Sequence, residues 1–260
     1  MTAVVAAIGH QGARRLTVLG GLARFTLRVA GSALRLSRAG RLVTLRVLIN
    51  QIRFTGLQAM GIVTLLSAIL SFLVISQSVQ QLGRYGALEQ VGTIMVVVVI
   101  RELGPLITAL IVVSRSGTAI AAEMATNRVM GEVTALEAMG IDPYIYLVLP
   151  RVLGAIVSVA CLMVLFDAVA LVSGYIGAVA VTEMQWRRYI EIVLATMSAK
   201  DVWITVAKGI TFGTAVAIHC AYHGLAVTKG PTEIPQAVTR GVVETIVAIF
   251  VMSAVFVGLA

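Results

Sequence analysis

VIRELGPLITALIVVSRSGTAIAAEMATNRVMGEVTALEAMGIDPYIYLVLPRVLG, residues 99–154, is the stretch that decides the fold of this chain. It opens inside an apolar run that carries Arg101, Glu102 and Pro105, passes through a polar island at 114–149, and re-enters apolar sequence at Pro150. Lipid does not solvate an Arg-Glu pair, so side chains of that kind face a bundle interior or a wet cavity. Arg101 and Glu102 are adjacent, so on a helix they point in different directions and do not simply neutralise each other. Pro105 has no N–H for the carbonyl four residues back, that of Arg101, and its ring crowds that carbonyl. The expectation is a helix kink at Pro105 with the Arg101 carbonyl freed toward protein or water.

Composition sets the class around this stretch. The 260 residues are 59% hydrophobic and only 12% charged, with a mean hydropathy of +0.98; a soluble domain carries about 25% charged residues. Several apolar runs reach the roughly 20 residues a helix needs to cross a bilayer, and none alternates as a barrel strand does. The reading is an all-α polytopic membrane protein with spans near 55–80, 88–113, 150–181, 203–227 and 240–260. Met1 to His10 lacks the basic start and the long apolar core of a signal peptide. Cys161 and Cys220 lie in or beside apolar runs and read as packed thiols, not as a disulfide framework.

The chain divides into a basic arm, 1–54, and one membrane domain, 55–260. The arm holds nine arginines and neither lysine nor acid. At about 100° per residue, Arg24, Arg28, Arg35 and Arg38 share a sector of roughly 80°, and Val18, Leu22, Phe25, Val29 and Leu36 share another. That pattern predicts an amphipathic interfacial helix, apolar side in the acyl boundary and arginines on anionic headgroups. The pI of about 10.1 is therefore membrane-facing chemistry, and nucleic acid is not the expected partner. With the arm in the cytoplasm, fourteen Lys/Arg lie inside and four outside, which puts the N-terminus in and the C-terminus out. Residues 185–198 then form a short helix resting on the external surface.

Candidate functional residues fall into two groups. Arg101, Glu102, Asp167, Lys208 and Glu244 are ionisable residues within or beside spans. One reading makes Arg101–Glu102 a structural pair that locks helix packing; the other has Glu102 and Lys208 line or brace a translocation path. In the island, Glu123, Asn127, Arg128, Glu132 and Glu137 are spread over helix-forming sequence, with Ser116 or Thr118 as candidate caps, and Gly140 with Asp142-Pro143 ends it. Such a segment is long for a connector and suits a helix lying along the cytoplasmic face. No G-x-x-x-x-G-K-[ST] occurs, so ATP use belongs to a partner, and no H-E-x-x-H or G-x-S-x-G marks an enzyme. His219-Cys220-x-x-His223 lacks a third and fourth metal ligand, so no metal site is expected.

Arg101-Glu102-Leu103-Gly104-Pro105, Ser114-Arg115-Ser116-Gly117, Ala122-Glu123-Met124, Leu136 to Pro143 and Pro150-Arg151 together resemble the MlaE-type permeases, membrane subunits of ABC lipid-transport systems that work with MCE-domain proteins. The resemblance implies a homodimer in a bacterial inner membrane with a lipid cavity between subunits. It implies a cytoplasmic ABC ATPase holding ATP and Mg, a periplasmic MCE-domain protein, and a small STAS-type cytoplasmic subunit as a further candidate partner. Segment 114–149 becomes the coupling helix between spans 2 and 3, with Glu123, Arg128, Glu132, Glu137 and Gly140 on it. Cavity candidates are Arg101, Glu102 and Lys208, with Ser71, Ile75 and Ser78 as positional choices on the first span. The chain itself is expected to bind no cofactor. The competing class is an autonomous secondary transporter or channel using the intramembrane charges as a relay.

Overall fold

Five helices are long and apolar enough to cross a bilayer, and no strand occurs among the described residues, which are 20–32, 47–88, 90–228 and 230–259 of a computed structural model. In chain order the elements are α1 (20–32), α2 (Val47–Arg84), α3 (Gln90–Val129), α4 (Glu132–Ala138), α5 (Tyr144–Val179), α6 (Trp186–Thr196), α7 (Ala199–Leu225) and α8 (Pro231–Gly258). α2, α3, α5, α7 and α8 are the spans. One end of the bundle carries α1 and α4, the other carries α6.

α5 packs along α2 on one side and α7 on the other, and α7 also packs on α8 and on the second half of α3. α3 and α7 are the most enclosed spans and α2 and α8 the least. Lipid offers helices no hydrophobic drive to associate, so close backbone approach has to hold them. Gly209 and Gly213, one turn apart on α7, supply it. A Cβ on Gly213 would lie 2.7 Å from the Ile156 Cα and 2.9 Å from the Ala155 carbonyl oxygen, and one on Gly209 would lie 2.9 Å from the Ala160 Cα.

Two apolar cores result. The larger joins α2, α3, α5, α6 and α7 through Ile75, Met95, Phe166, Tyr189 and Phe212. The second lies at the α4 end, where Leu22, Phe25 and Val29 of α1 meet Val133 of α4, Val148 of α5 and Ala221 of α7. The arm thus departs from expectation. Leu22, Phe25 and Val29, expected in the acyl boundary, are buried on protein, with the Phe25 ring 5.4 Å from that of Tyr144 and 5.6 Å from that of Tyr222. Aromatic edges at this end of α5 and α7 offer a better-packed surface than lipid does. Arg24 and Arg28 stay exposed. Val18, Leu36, Arg14, Arg15, Arg35, Arg38, Arg41 and Arg46 lie outside the described residues, as does Lys229.

The polar island also differs from expectation at its start. The second span does not stop at residue 113 but runs unbroken to Val129, through a wide-turn segment at Val113–Gly117. Ser116 and Thr118 therefore cap nothing, and Thr118 instead donates to the Arg115 and Ser114 carbonyls at 2.6 and 3.0 Å. The first span likewise begins earlier, at Val47. The island's end is as read. Gly140, at φ +72°, donates to the Glu137 carbonyl while Ile141 donates to that of Leu136 at 2.9 Å, a Schellman closure open to a residue that tolerates the left-handed region.

Replacing Gly213 with alanine is expected to force α7 off α5 and destabilise the chain by about 1–3 kcal/mol. Gly61→Ala, where a Cβ meets nothing within 4 Å, is the control and should leave thermal unfolding in detergent unchanged. Equal midpoints for the two variants would refute the close contact.

Candidate functional site

The Arg101 carbonyl that Pro105 cannot serve has found a cation. Lys208, on α7, donates from Nζ to that oxygen at 2.6 Å and to Glu102 Oε1 at 2.8 Å. Ser253 on α8 donates to the other carboxylate oxygen, Oε2, at 3.0 Å. Three spans thus meet at one carboxylate. Around the proline the helix changes register instead of merely bending. Met95–Leu103 is wound with the wide π turn, the Gly104 N–H reaches back five residues to the Val99 carbonyl, and α-helix resumes at Gly104 with Pro105 in its first turn. Wide turns of this kind recur at functional positions.

Arg101 and Glu102 point apart, and each has its own partner. Arg101 Nε lies 2.6 Å from Asp201 Oδ1, an ion pair by distance whose N–H is not aimed along the contact. Asp201 is fixed from its other oxygen, since Oδ2 accepts from the Ser198 N–H at 2.8 Å in the box that starts α7. Lys208 and Asp201 are sealed, each side chain 1% exposed, whereas Glu102 and Arg101 keep 31% and 27% of theirs open. A buried ammonium with two oxygen acceptors is compensated; removing either would strand it. The open sides of Glu102 and Arg101 leave a carboxylate and a guanidinium within reach of a polar ligand. From the first residue of α7 to Lys208 is about 14 Å along the axis, so the node lies well inside the span, in its α6-side half.

Asp167 is a further ionisable residue of this region and takes no part in that network. It lies on α5 behind Gly104, whose Cβ would sit 2.9 Å from Asp167 Oδ1, and that oxygen is buried with no hydrogen-bond partner among the described residues. The positional choices on the first span fall elsewhere. Ser71 and Ile75 are fully buried, Ile75 against Gly174 of α5, and Ser78 donates to its own helix at Val74. Within the single chain Ser71 and Ile75 are therefore packing residues, not a cavity wall, because their face of α2 is the one that meets α5. The open face of α2 carries Leu57, Leu65, Ile69 and Leu73.

At the α4 end the expected coupling residues are solvent-accessible. Arg128, Glu132, Glu137 and Gly140 are exposed. Glu123 is exposed too, but its carboxylate holds Arg151 at 2.5 Å, tying the end of α3 to the start of α5. α4 lies between Gly131 and Gly140, both left-handed at φ +78° and +72°, and is fastened by buried Val133 and half-buried Leu136. Beside it, the two imidazoles of the His-Cys-x-x-His run separate. His223 Nε2 contacts Glu244 Oε2 at 2.7 Å, and His219 Nδ1 contacts the Ala215 carbonyl at 2.8 Å. Among the described residues no three His, Cys, Asp or Glu side chains converge as a metal-ligand set.

Asp201 and Ser253 are the members of the node that sequence reading missed. Asp201 had a usable signal, since Ser198-Ala199-Lys200-Asp201 has the spacing of a capping box and marks an aspartate at a helix start. Ser253 had none, being one small polar residue among apolar ones on α8.

The chain has relatives among known proteins. A family model described as Permease MlaE matches residues 48–259. The chain is 31% identical over 207 residues to a probable ABC transporter permease protein of Rickettsia prowazekii (strain Madrid E), covering 80% of each. It is 25% identical over 217 residues to the intermembrane phospholipid transport system permease protein MlaE of Haemophilus influenzae (strain ATCC 51907 / DSM 11121 / KW20 / Rd), covering 82% of this chain and 83% of that one. A third relative is the chloroplastic protein TRIGALACTOSYLDIACYLGLYCEROL 1 of Arabidopsis thaliana, 26% identical across 78% of this chain and 58% of its own. A match from residue 48 to 259 takes in all five spans almost end to end and every member of the Lys208 node: the chain belongs to the MlaE permease family.

Proposed function

We propose that this chain is the membrane subunit of an ABC transporter that moves phospholipid or a related lipid between a bacterial inner membrane and a periplasmic MCE-domain partner, powered by a separate ATPase. In that reading the α4 end is cytoplasmic and the α6 end periplasmic, two copies pair, and a small STAS-type subunit is a further cytoplasmic partner. The observation that carries it is the unbroken course of α3. A single helix holds Arg101 and Glu102 in the membrane and delivers Arg128 to the α4 end, with α4 one left-handed glycine beyond. ATP-driven work at the α4 surface would enter that helix across the single turn at Gly131 and reach the node along it. Glu102 and Arg101 then stand where a lipid headgroup would pass, with Lys208 sealed behind them as their brace, and Arg128, Glu132, Glu137 and Gly140 where an ATPase would seat.

Co-purification tests the division of labour. The chain expressed with its genomic neighbours should bring down an ATPase and an MCE-domain protein, and lipid transfer in proteoliposomes should require ATP. Transport by the lone chain without nucleotide would establish the secondary-transporter class instead. Charge reversal of the exposed pair, Glu132→Lys with Glu137→Lys, should weaken ATPase capture by about tenfold or more while leaving the bundle's melting unchanged. Retention of full capture would remove α4 from the docking surface.

The node separates bracing from transport through a paired substitution. Lys208→Met alone strands Glu102 and the Arg101 carbonyl and should cost about 3–5 kcal/mol of stability, whereas Lys208→Met with Glu102→Gln removes both charges and should regain most of it. We expect that double variant to fold, bind its ATPase and transfer lipid at least about tenfold more slowly, a barrier change of ~1.4 kcal/mol. Wild-type transfer by the double variant would leave the node a purely structural brace.

A further inference from the structure

The apolar face of α1 is spent on protein, and the place where it is spent is the core that seats α4. Leu22, Phe25 and Val29 are buried in the same cluster as Val133, with half-buried Leu136 and Tyr144 packed against it. Val133 is the one fully buried residue of α4, and a left-handed glycine stands at each end of the helix. An element hinged twice and held by so few side chains takes its position from whatever completes its socket, and at this socket α1 supplies one wall. The opposite side of α1 is basic and open. Arg24 and Arg28 are exposed, and Leu27 between them is 71% exposed, an apolar residue placed where headgroup gives way to acyl chain.

We infer that α1 is a membrane-charge sensor: anionic phospholipid headgroups bound to Arg24 and Arg28 hold α1 in place and thereby order the coupling element α4. The charge pattern selects the occupant. A groove of about 660 Å³ separates Leu27, Arg28, Gly31 and Ser32 from the 137–144 segment, and its far wall carries Glu137 and Asp142. Those carboxylates repel a phosphate inside the groove, so an anionic headgroup is directed to the outer side of the arginines. The arm itself, 1–54, holds no acidic residue, so among the described residues the carboxylates facing Arg28 are those of Glu137 and Asp142 on the groove side alone. A basic face with an exposed leucine suits a bilayer surface better than a soluble anion, since a soluble anion has no use for the leucine. The regulatory meaning of an ordered α4 rests on the coupling reading above; the ordering itself does not.

Hydrogen exchange of the full chain in nanodiscs, without any partner, tests the ordering directly. Amides of 132–141 should exchange more slowly in discs containing phosphatidylglycerol than in phosphatidylcholine alone. The effect expected is about fivefold per arginine engaged. Arg24→Gln with Arg28→Gln, both on the open side, should abolish the difference without touching exchange in the spans. Phe25→Ala should keep α1 on anionic discs, read as protection of 20–32, yet lose protection at 132–141. Equal exchange at 132–141 in the two lipid compositions would overturn the inference. So would protection of that segment by inorganic phosphate added to neutral discs, which would assign the site to a soluble anion. ATPase capture, measured separately, decides the coupling reading; a lipid-dependent α4 in a chain that captures no ATPase would retain the sensor and reject the coupling role.

Discussion

A lysine ammonium inside a helical bundle has to be neutralised, and much of this structure follows from how Lys208 achieves it. Its Nζ meets the Arg101 carbonyl at 2.6 Å and Glu102 at 2.8 Å. The first acceptor exists because Pro105 removes the N–H that an α-helix would have aimed at it. The proline is therefore not a defect tolerated next to a charged pair but the source of one of the cation's two ligands. Ser253 then takes the carboxylate oxygen that Lys208 leaves, so that α3, α7 and α8 are bound to one another at a single point. Against α5, by contrast, α7 relies on close glycine contact, which sets no register by charge.

The other consequence concerns where the chain is stiff. α3 carries two wide-turn segments, Met95–Leu103 at the node and Val113–Gly117 near the α4 end, and the nine residues between them are regular α-helix. Each wide segment lies against a polar clamp. The first has Lys208; the second has Arg115, which donates to Gln58 of α2 and stacks over Phe54 at 5.6 Å. A helix with clamped joints at both ends of a rigid middle transmits displacement along its length and absorbs rotation at the joints. Such a mechanical property is what the proposed coupling would use, and the helix runs through Ser114 in a wide-turn segment without a break.

Legibility in the sequence tracked how local each cause is. Five spans, the short helix at 186–196 and the Schellman end at Gly140 follow from runs, caps and glycines whose effect acts within a few residues, and all were readable. The freed carbonyl at Arg101 was readable for the same reason. Its partner Lys208 was suspected as an intramembrane charge, but Ser253 on α8 was not, because only the packing of three helices selects one serine among many. Ser71 and Ile75 show the same limit from the other side. A span's sequence says which residues are small or apolar, and it does not say which face meets a neighbour when nearly every face is apolar. α1 differs in another way: its amphipathic pattern marks the buried side, but a pattern does not name the apolar medium, and here Tyr144 and Tyr222 supply it in place of lipid.

That last substitution of protein for lipid changes how the α4 end holds together. Had α1 lain in the bilayer, the core at that end would consist of the inner turns of α3, α5 and α7 with Val133 and Leu136 laid on them, exposed on one flank. With α1 in place the flank is closed by Leu22, Phe25 and Val29, and Phe25 sits edge-on to two tyrosines from different helices. Edge-to-face pairs contribute about 0.5–1.5 kcal/mol each beyond their buried area, and these two fasten α1 to α5 and to α7. The core at this end is therefore completed by the segment whose other side is basic and exposed.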